Sequence, residues 1–319
     1  MPPPRLWGMS TPGTVPYLRV VVTARCTLAC AYCHAEGDWS TGAGSAGGLP
    51  LPELMDLLRA GIRAGVRKIK LLGGEPLLRA DLPDLVRAAR TEAANIDISV
   101  ITAGAVPTER IDALFAAGLS RANLSIHGWS ESEFATRTRR PGGYPLRQAM
   151  LERLMGHGRF LKLNYVYRGT GDDADLAALL AWAAGRPVTV GLLDDLGRDV
   201  GPDALMAALR RARGEWSTSV AEPDPYSLPT RIVTWSDGLR VEVKDHRLGQ
   251  IAPWKACAAC PVRARCGEGI HAVRLTHDGR LRQCLDRPEL GVDLRAAART
   301  GGAAAAAATW GRFVEESLA

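Results

Sequence analysis

The sequence predicts an α/β fold on parallel strands, and three observations carry that expectation. Short apolar, β-branched runs alternate with stretches of helical spacing about six times between residues 16 and 215. Such alternation implies parallel strands joined by right-handed crossovers. Glycine, hydroxyl and amide residues collect at or near the ends of those runs, where a parallel barrel places its chemistry. Beyond about residue 215 the pattern gives way to hairpins and an alanine-rich tail. Six strand–helix units are fewer than the eight of a closed barrel.

Residues 1–15 are rich in proline and glycine and read as irregular. The run 18–23 reads as a first buried strand, and residues 38–50 as a loop. Apolar residues at helical spacing (Leu54, Leu57, Leu58, Ile62) mark a helix over 51–64, with Pro52 early, where proline is tolerated. Strands then follow over 68–72, 96–102, 121–126, 161–166 and 188–193. Helices fall over 81–90, 108–117, 173–184 and 202–213, and on either side of Pro141-Gly142-Gly143 within 131–158. Farther on, 231–243 is a hairpin turning at Asp237-Gly238 and 273–284 another turning at Asp278-Gly279. The tail from about 291 is helical by propensity. The organisation is thus an irregular 1–15, a barrel-like 16–215 and an extension over 216–319 that caps the open side.

Seven cysteines in 319 residues fall in two groups, Cys26, Cys30, Cys33 and Cys257, Cys260, Cys266, Cys284. There is no signal-peptide pattern and no apolar run of membrane-spanning length, so the chain is expected in the cytoplasm and off the membrane. In that compartment such grouping indicates metal or redox chemistry in place of disulfides. Thiolates suit iron–sulfur, copper(I) or zinc. Zinc sites usually combine a CxxC pair with a distant second pair, which the x3-x2 spacing of the first group fits poorly, whereas the four cysteines of the second group, two of them as CxxC, would make a good structural zinc site. Three thiolates on a four-iron cluster leave one iron open to a small molecule. The net charge of +6 lacks a basic stripe interleaved with aromatics, so it points to an anionic small substrate and away from a polynucleotide.

The loop Cys26-Thr-Leu-Ala-Cys30-Ala-Tyr-Cys33 resembles the radical SAM superfamily, and the stretch around it, from Tyr17 to Cys26, resembles the opening of the GTP 3',8-cyclases. The resemblance spans roughly residues 15–300. It implies a partial (β/α)6 TIM-type barrel with a C-terminal hairpin-and-helix extension. It implies a [4Fe–4S] cluster on Cys26, Cys30 and Cys33 that cleaves S-adenosylmethionine (SAM) to a 5'-deoxyadenosyl radical, fed by an electron donor such as flavodoxin or ferredoxin. Gly73-Gly74-Glu75-Pro76 is similar to the family's GGEP motif, which positions the SAM amino group. Thr102, Ala103, Gly104, Ser125 and Asn164 look like further SAM contacts. Arg19, Lys68, Lys70, Lys162 and Arg274 match basic residues that contact the nucleotide in the cyclases.

Near the C-terminus Arg274-Leu275-Thr276, Asp278-Gly279 and Cys284-Leu285 are also cyclase-like. The cyclases carry three cysteines there, whereas this chain has four. Aligning Arg274 and Cys284 places Gly267 and Ile270 at two of the family's cysteine positions and Ala272 at an arginine. The family's terminal double glycine is missing, since Gly301-Gly302 lies too early. Beside a domain that resembles a cluster enzyme, the four thiolates are read as a saturated second [4Fe–4S] auxiliary cluster, similar to twitch or SPASM extensions, with structural zinc as the alternative. The reading that follows is hydrogen abstraction from an anionic nucleoside, nucleotide or sugar acid in natural-product (antibiotic) biosynthesis, similar to cytosylglucuronate decarboxylase. Alternatives are a peptide maturase, the cyclase reaction itself, and an iron–sulfur or zinc regulatory protein.

Overall fold

The computed structural model describes residues 14–33, 47–159, 161–195, 200–222, 228–249, 254–266 and 271–318. Most of the expected irregular N-terminus and of the loop over 38–50 falls outside these residues, as do Gly267 and Ile270. The described strands form one twelve-stranded sheet. β1 (Tyr17–Val21), β2 (Lys68–Leu72), β3 (Asp97–Thr102), β4 (Arg121–Ile126), β5 (Leu161–Tyr167) and β6 (Val188–Asp194) lie side by side in chain order, all parallel. Between them run α1 (Leu51–Arg63), α2 (Leu82–Glu92), α3 (Glu109–Ala116), α4 (Glu131–Thr138), α5 (Tyr144–Gly156) and α6 (Asp173–Ala183), with α7 (Gly201–Arg213) after β6. One face of the sheet packs on the helices through Leu18, Val20, Ile69, Leu71, Val100, Leu124, Leu163 and Val190, all at most 1% exposed. That burial drives the fold.

The C-terminal hairpins continue the sheet at its two opposite edges. β7 (Thr218–Glu222), β8 (Thr230–Thr234) and β9 (Arg240–Lys244) follow β6, with β9 parallel to it. β10 (Val273–Leu275), β11 (Arg280–Arg282) and β12 (Gly291–Asp293) extend the other edge, with β10 parallel to β1. Eight consecutive parallel strands therefore run from β10 through β1–β6 to β9, two of them supplied by the C-terminal region. The sequence patterns anticipated neither this continuity nor the short strands β7 and β12.

The tail is α8 (Leu294–Ser317), which leaves helical geometry at Gly301 and Gly302. It lies along α1. A Cβ on Gly61 would be 2.8 Å from the Trp310 ring, and Glu53 accepts from Arg295 Nε at 2.6 Å. Trp310 is 1% exposed, so this contact closes the apolar surface of α1.

Candidate active site

The cysteine loop leaves the C-terminal end of β1 and is held from several sides. The last carbonyls of an α-helix lack intrahelical partners. Here two of them, on Thr138 and Arg137 of α4, accept from Ala29 N at 2.9 Å and Ala31 N at 3.1 Å. Arg140 donates to the Thr27 carbonyl at 2.8 Å. Tyr32 Oη lies 2.5 Å from His127 Nδ1, which also stands 3.9 Å from Cys30 Sγ. Leu28 packs with Ala105 and Phe134, against which Cys26 and Cys30 rest. Beneath the loop, Arg137 is an ion-pair hub. It reaches Asp172 at 2.9 Å and Glu133 at 3.2 Å, and it donates to Tyr165 Oη at 2.6 Å and the Val166 carbonyl at 3.1 Å.

Burial pushes the Cys26 thiol up, and it pushes Cys30 up to about 12, with Cys33 and Cys26 adding to the rise at Cys30. Mutually interacting, half-buried thiols need a cation to become thiolates, which is the donor chemistry an iron–sulfur cluster satisfies. Among the described residues no three His, Cys, Asp or Glu side chains converge on a single metal ion. A cluster does not require that, because each thiolate takes its own iron. His34 lies outside the described residues.

The glycines of the GGEP stretch stand hard against the chain itself. A Cβ on Gly73 would stand 2.3 Å from the Thr23 carbonyl oxygen, and one on Gly74 would stand 2.2 Å from that of Arg25. The close approach these glycines permit is to the chain's own backbone leading into the cysteine loop. Hydrogen bonds fix it, from Gly74 N to Thr23 O and from Glu75 N to Arg25 O, both 2.8 Å. Pro76 opens a short 3-10 turn capped by Glu75, which accepts from Leu77 N. Glu75 is 1% exposed and accepts from Thr102 Oγ1 at 2.7 Å and Ala103 N at 2.9 Å. Thr102 Oγ1 in turn accepts from Gly104 N. The side chains of Glu75 and Thr102 thus tie the ends of β2 and β3 together beside the loop. Ser125 and Asn164 are register partners on the open face of the sheet.

That open face is strongly cationic. Register partners point to the same side. Across the eight parallel strands the pairing Arg274–Arg19–Lys70–Ser99–Arg121 and the alternation from it put eight basic residues on this face: Arg274, Arg19, Lys70, Arg121, Lys68, Lys162, Arg240 and Lys244. Two acids, Asp97 and Glu242, accompany them. The Lys70 ammonium is held well below its ordinary range, first by burial and then by Arg19, Arg121, Lys162 and Lys244. Lys162 pairs with Glu242 at 2.7 Å. Lys68 opens β2, about 13 Å along the strand from its C-terminal end, with its ammonium over the Tyr17 ring. His127, Arg137 and Glu242 escaped the sequence reading. Glu242 was discoverable, because alternation in the predicted hairpin strand sets it on the face of Arg240.

The second cysteine group occupies short turns at the β10 edge. Cys257 N donates to the Trp254 carbonyl and Cys260 N to that of Cys257. Burial raises the Cys284 thiol and the Arg274 guanidinium opposes that rise. Arg287, paired with Glu289, also feels Cys260 and Cys284. Arg274 therefore links the open face of the barrel to this group.

Residues 20–183 match the model of the Radical SAM superfamily. GTP 3',8-cyclase from Nitrobacter hamburgensis is 31% identical over 301 residues, covering 89% of this chain and 82% of the relative. The same enzyme from Rhizobium etli is 32% identical, covering 89% and 79%. Among solved structures, Streptococcus suis SuiB bound to its precursor peptide SuiA superposes with a TM-score of 0.58 at 13% identity. It covers 86% of this chain, which spans 60% of that one, and is a likeness of fold alone. The relatives named here give no support to a cytosylglucuronate decarboxylase-like role or to antibiotic biosynthesis, since their names are those of cyclases.

Proposed function

The chain belongs to the radical SAM superfamily, and on that premise we propose that its substrate is an anionic nucleotide, with GTP the first candidate. The observation that carries this reading is the open sheet face, where eight basic residues stand against two acids and burial already disfavours the Lys70 ammonium. A buried charge without a counter-charge is costly, and a phosphate or carboxylate would supply one. Relatives about 30% identical over most of the chain are named for their action on GTP, which supports the same class.

In this reading Cys26, Cys30 and Cys33 hold a [4Fe–4S] cluster that, when bound, supplies the electron and the open iron for SAM cleavage. The α4 carbonyls and His127 orient the loop that carries those cysteines. Glu75 and Thr102 hold the strand ends against which SAM lies, with Gly73, Gly74, Gly104, Ser125 and Asn164 at its border. Arg19, Lys70 and Arg274 receive the substrate's anionic group. Cys257, Cys260, Cys266 and Cys284 hold a second cluster. A flavodoxin- or ferredoxin-type donor delivers the electron.

Anaerobic incubation of the reconstituted chain with SAM, dithionite and GTP is expected to give 5'-deoxyadenosine at a rate that GTP raises, together with a rearranged guanine nucleotide. Arg274→Ala is expected to weaken nucleotide binding with iron content unchanged. Absence of calorimetric binding for GTP and other nucleoside phosphates would overturn the reading.

A further inference from the structure

The open face divides into two halves. On β10, β1 and β2 it carries Arg274, Arg19 and Lys70, which are register neighbours on adjacent strands. On β5 and β9 it carries Lys162, Arg240 and Lys244 around a single acid, Glu242, which holds Lys162 in an ion pair. Lys162 Nζ lies 2.7 Å from Glu242 Oε2 although β6 runs between their strands. Strands two apart are separated by about 9.5 Å, so this pair forms only by crossing over β6. Gly191 permits the crossing, because a Cβ there would stand 2.5 Å from Lys162 Cε and 2.9 Å from Asn164 Oδ1. The other Glu242 oxygen accepts from Arg240 Nη2 at 3.2 Å. The lysine is thereby drawn sideways along the sheet toward β9.

From this geometry we infer that Glu242 determines which way round the substrate lies: it withdraws Lys162 from anion binding, so the anionic group is received by Arg19, Lys70 and Arg274 while an uncharged hydroxyl- or amide-bearing part lies over the Lys162–Glu242 pair. The physical reason is repulsion. A phosphate placed on Lys162 would also face the Glu242 carboxylate, whereas a hydroxyl or amino group finds an acceptor there. The inference rests on the anionic-nucleotide reading and deepens it by assigning the two ends of the substrate to two halves of the barrel.

Tripolyphosphate titrated calorimetrically into the anaerobically purified holoprotein tests it. Lys70→Met should weaken binding about tenfold or more, the scale of a lost charged hydrogen bond. Lys162→Met should change it by less than about threefold. Glu242→Gln should tighten binding by about threefold or more, and the gain should vanish in the Lys162→Met/Glu242→Gln double variant. Gly191→Ala displaces the lysine head without removing a charge and should act in the same direction as Glu242→Gln. Equal losses for Lys162→Met and Lys70→Met would overturn the inference while leaving the anionic-substrate reading intact. So would an unchanged affinity in both Glu242→Gln and Gly191→Ala. If the unaltered chain does not bind tripolyphosphate, the anionic-substrate reading falls first and this inference falls with it.

Discussion

The two cysteine groups of this protein are built in different ways. Cys26, Cys30 and Cys33 sit on a loop whose backbone is bonded to the end of α4 and to the residues of the GGEP stretch, and whose Tyr32 meets His127. Cys257, Cys260 and Cys266 sit on short turns with hydrogen bonds to near neighbours in the chain, and Cys284 lies two residues past β11. The first loop is therefore shaped by the fold before any metal arrives. Among the described residues the turns of the second are tied mainly by local bonds, with one longer reach from Arg287 Nη1 to the Ala256 carbonyl. In a radical enzyme the asymmetry is useful, because the group that presents SAM to the substrate must be placed to a fraction of an ångström.

The largest effect should come from the thiolates themselves. Replacing Cys26, Cys30 and Cys33 together by Ala should remove about four irons per chain and end 5'-deoxyadenosine formation, as read by iron assay and chromatography. Replacing Cys257 and Cys260 should lower the iron content but leave SAM cleavage measurable. Equal loss of cleavage in both variants would erase the distinction between the groups.

Next in size is Arg137, which is 0% exposed. Arg137→Met leaves buried Asp172 without this counter-charge and should cost about 3–5 kcal/mol, seen as a lower urea midpoint with weaker iron retention at the first group. Gly74→Ala drives a methyl against the Arg25 carbonyl at 2.2 Å. It should cost about 1–3 kcal/mol and lower cluster occupancy at the first group while sparing the second. The smallest effect is expected from Tyr32→Phe, which forfeits one hydrogen bond, about 1 kcal/mol. Faster iron loss to a chelator from the first group alone would register it.

Much of this architecture was legible in the residues. The strands Lys68–Leu72 and Arg121–Ile126 have the bounds their apolar patterns indicated, because a run buried by helices on one face is set by composition over a few positions. Both hairpins turn at their Asp-Gly pairs. The strands β7 and β12 were not legible. Each is short and mostly exposed or half-buried, so burial leaves no alternation to read.

The sequence by itself determined the grouping of the cysteines, the alternation of strands and helices, and the basic character of the chain, since these depend on residue type and local spacing. The tertiary structure alone decided that the two C-terminal hairpins join opposite edges of one sheet, bringing the parallel strands to eight. It decided that the GGEP glycines clear the way for the chain's own backbone, and that Lys162 reaches Glu242, 80 residues away, across Gly191. Each of these depends on which strand lies beside which. Turn chemistry closes a hairpin but carries no information about the sheet edge it will join, and a charge finds its partner only once the register is set.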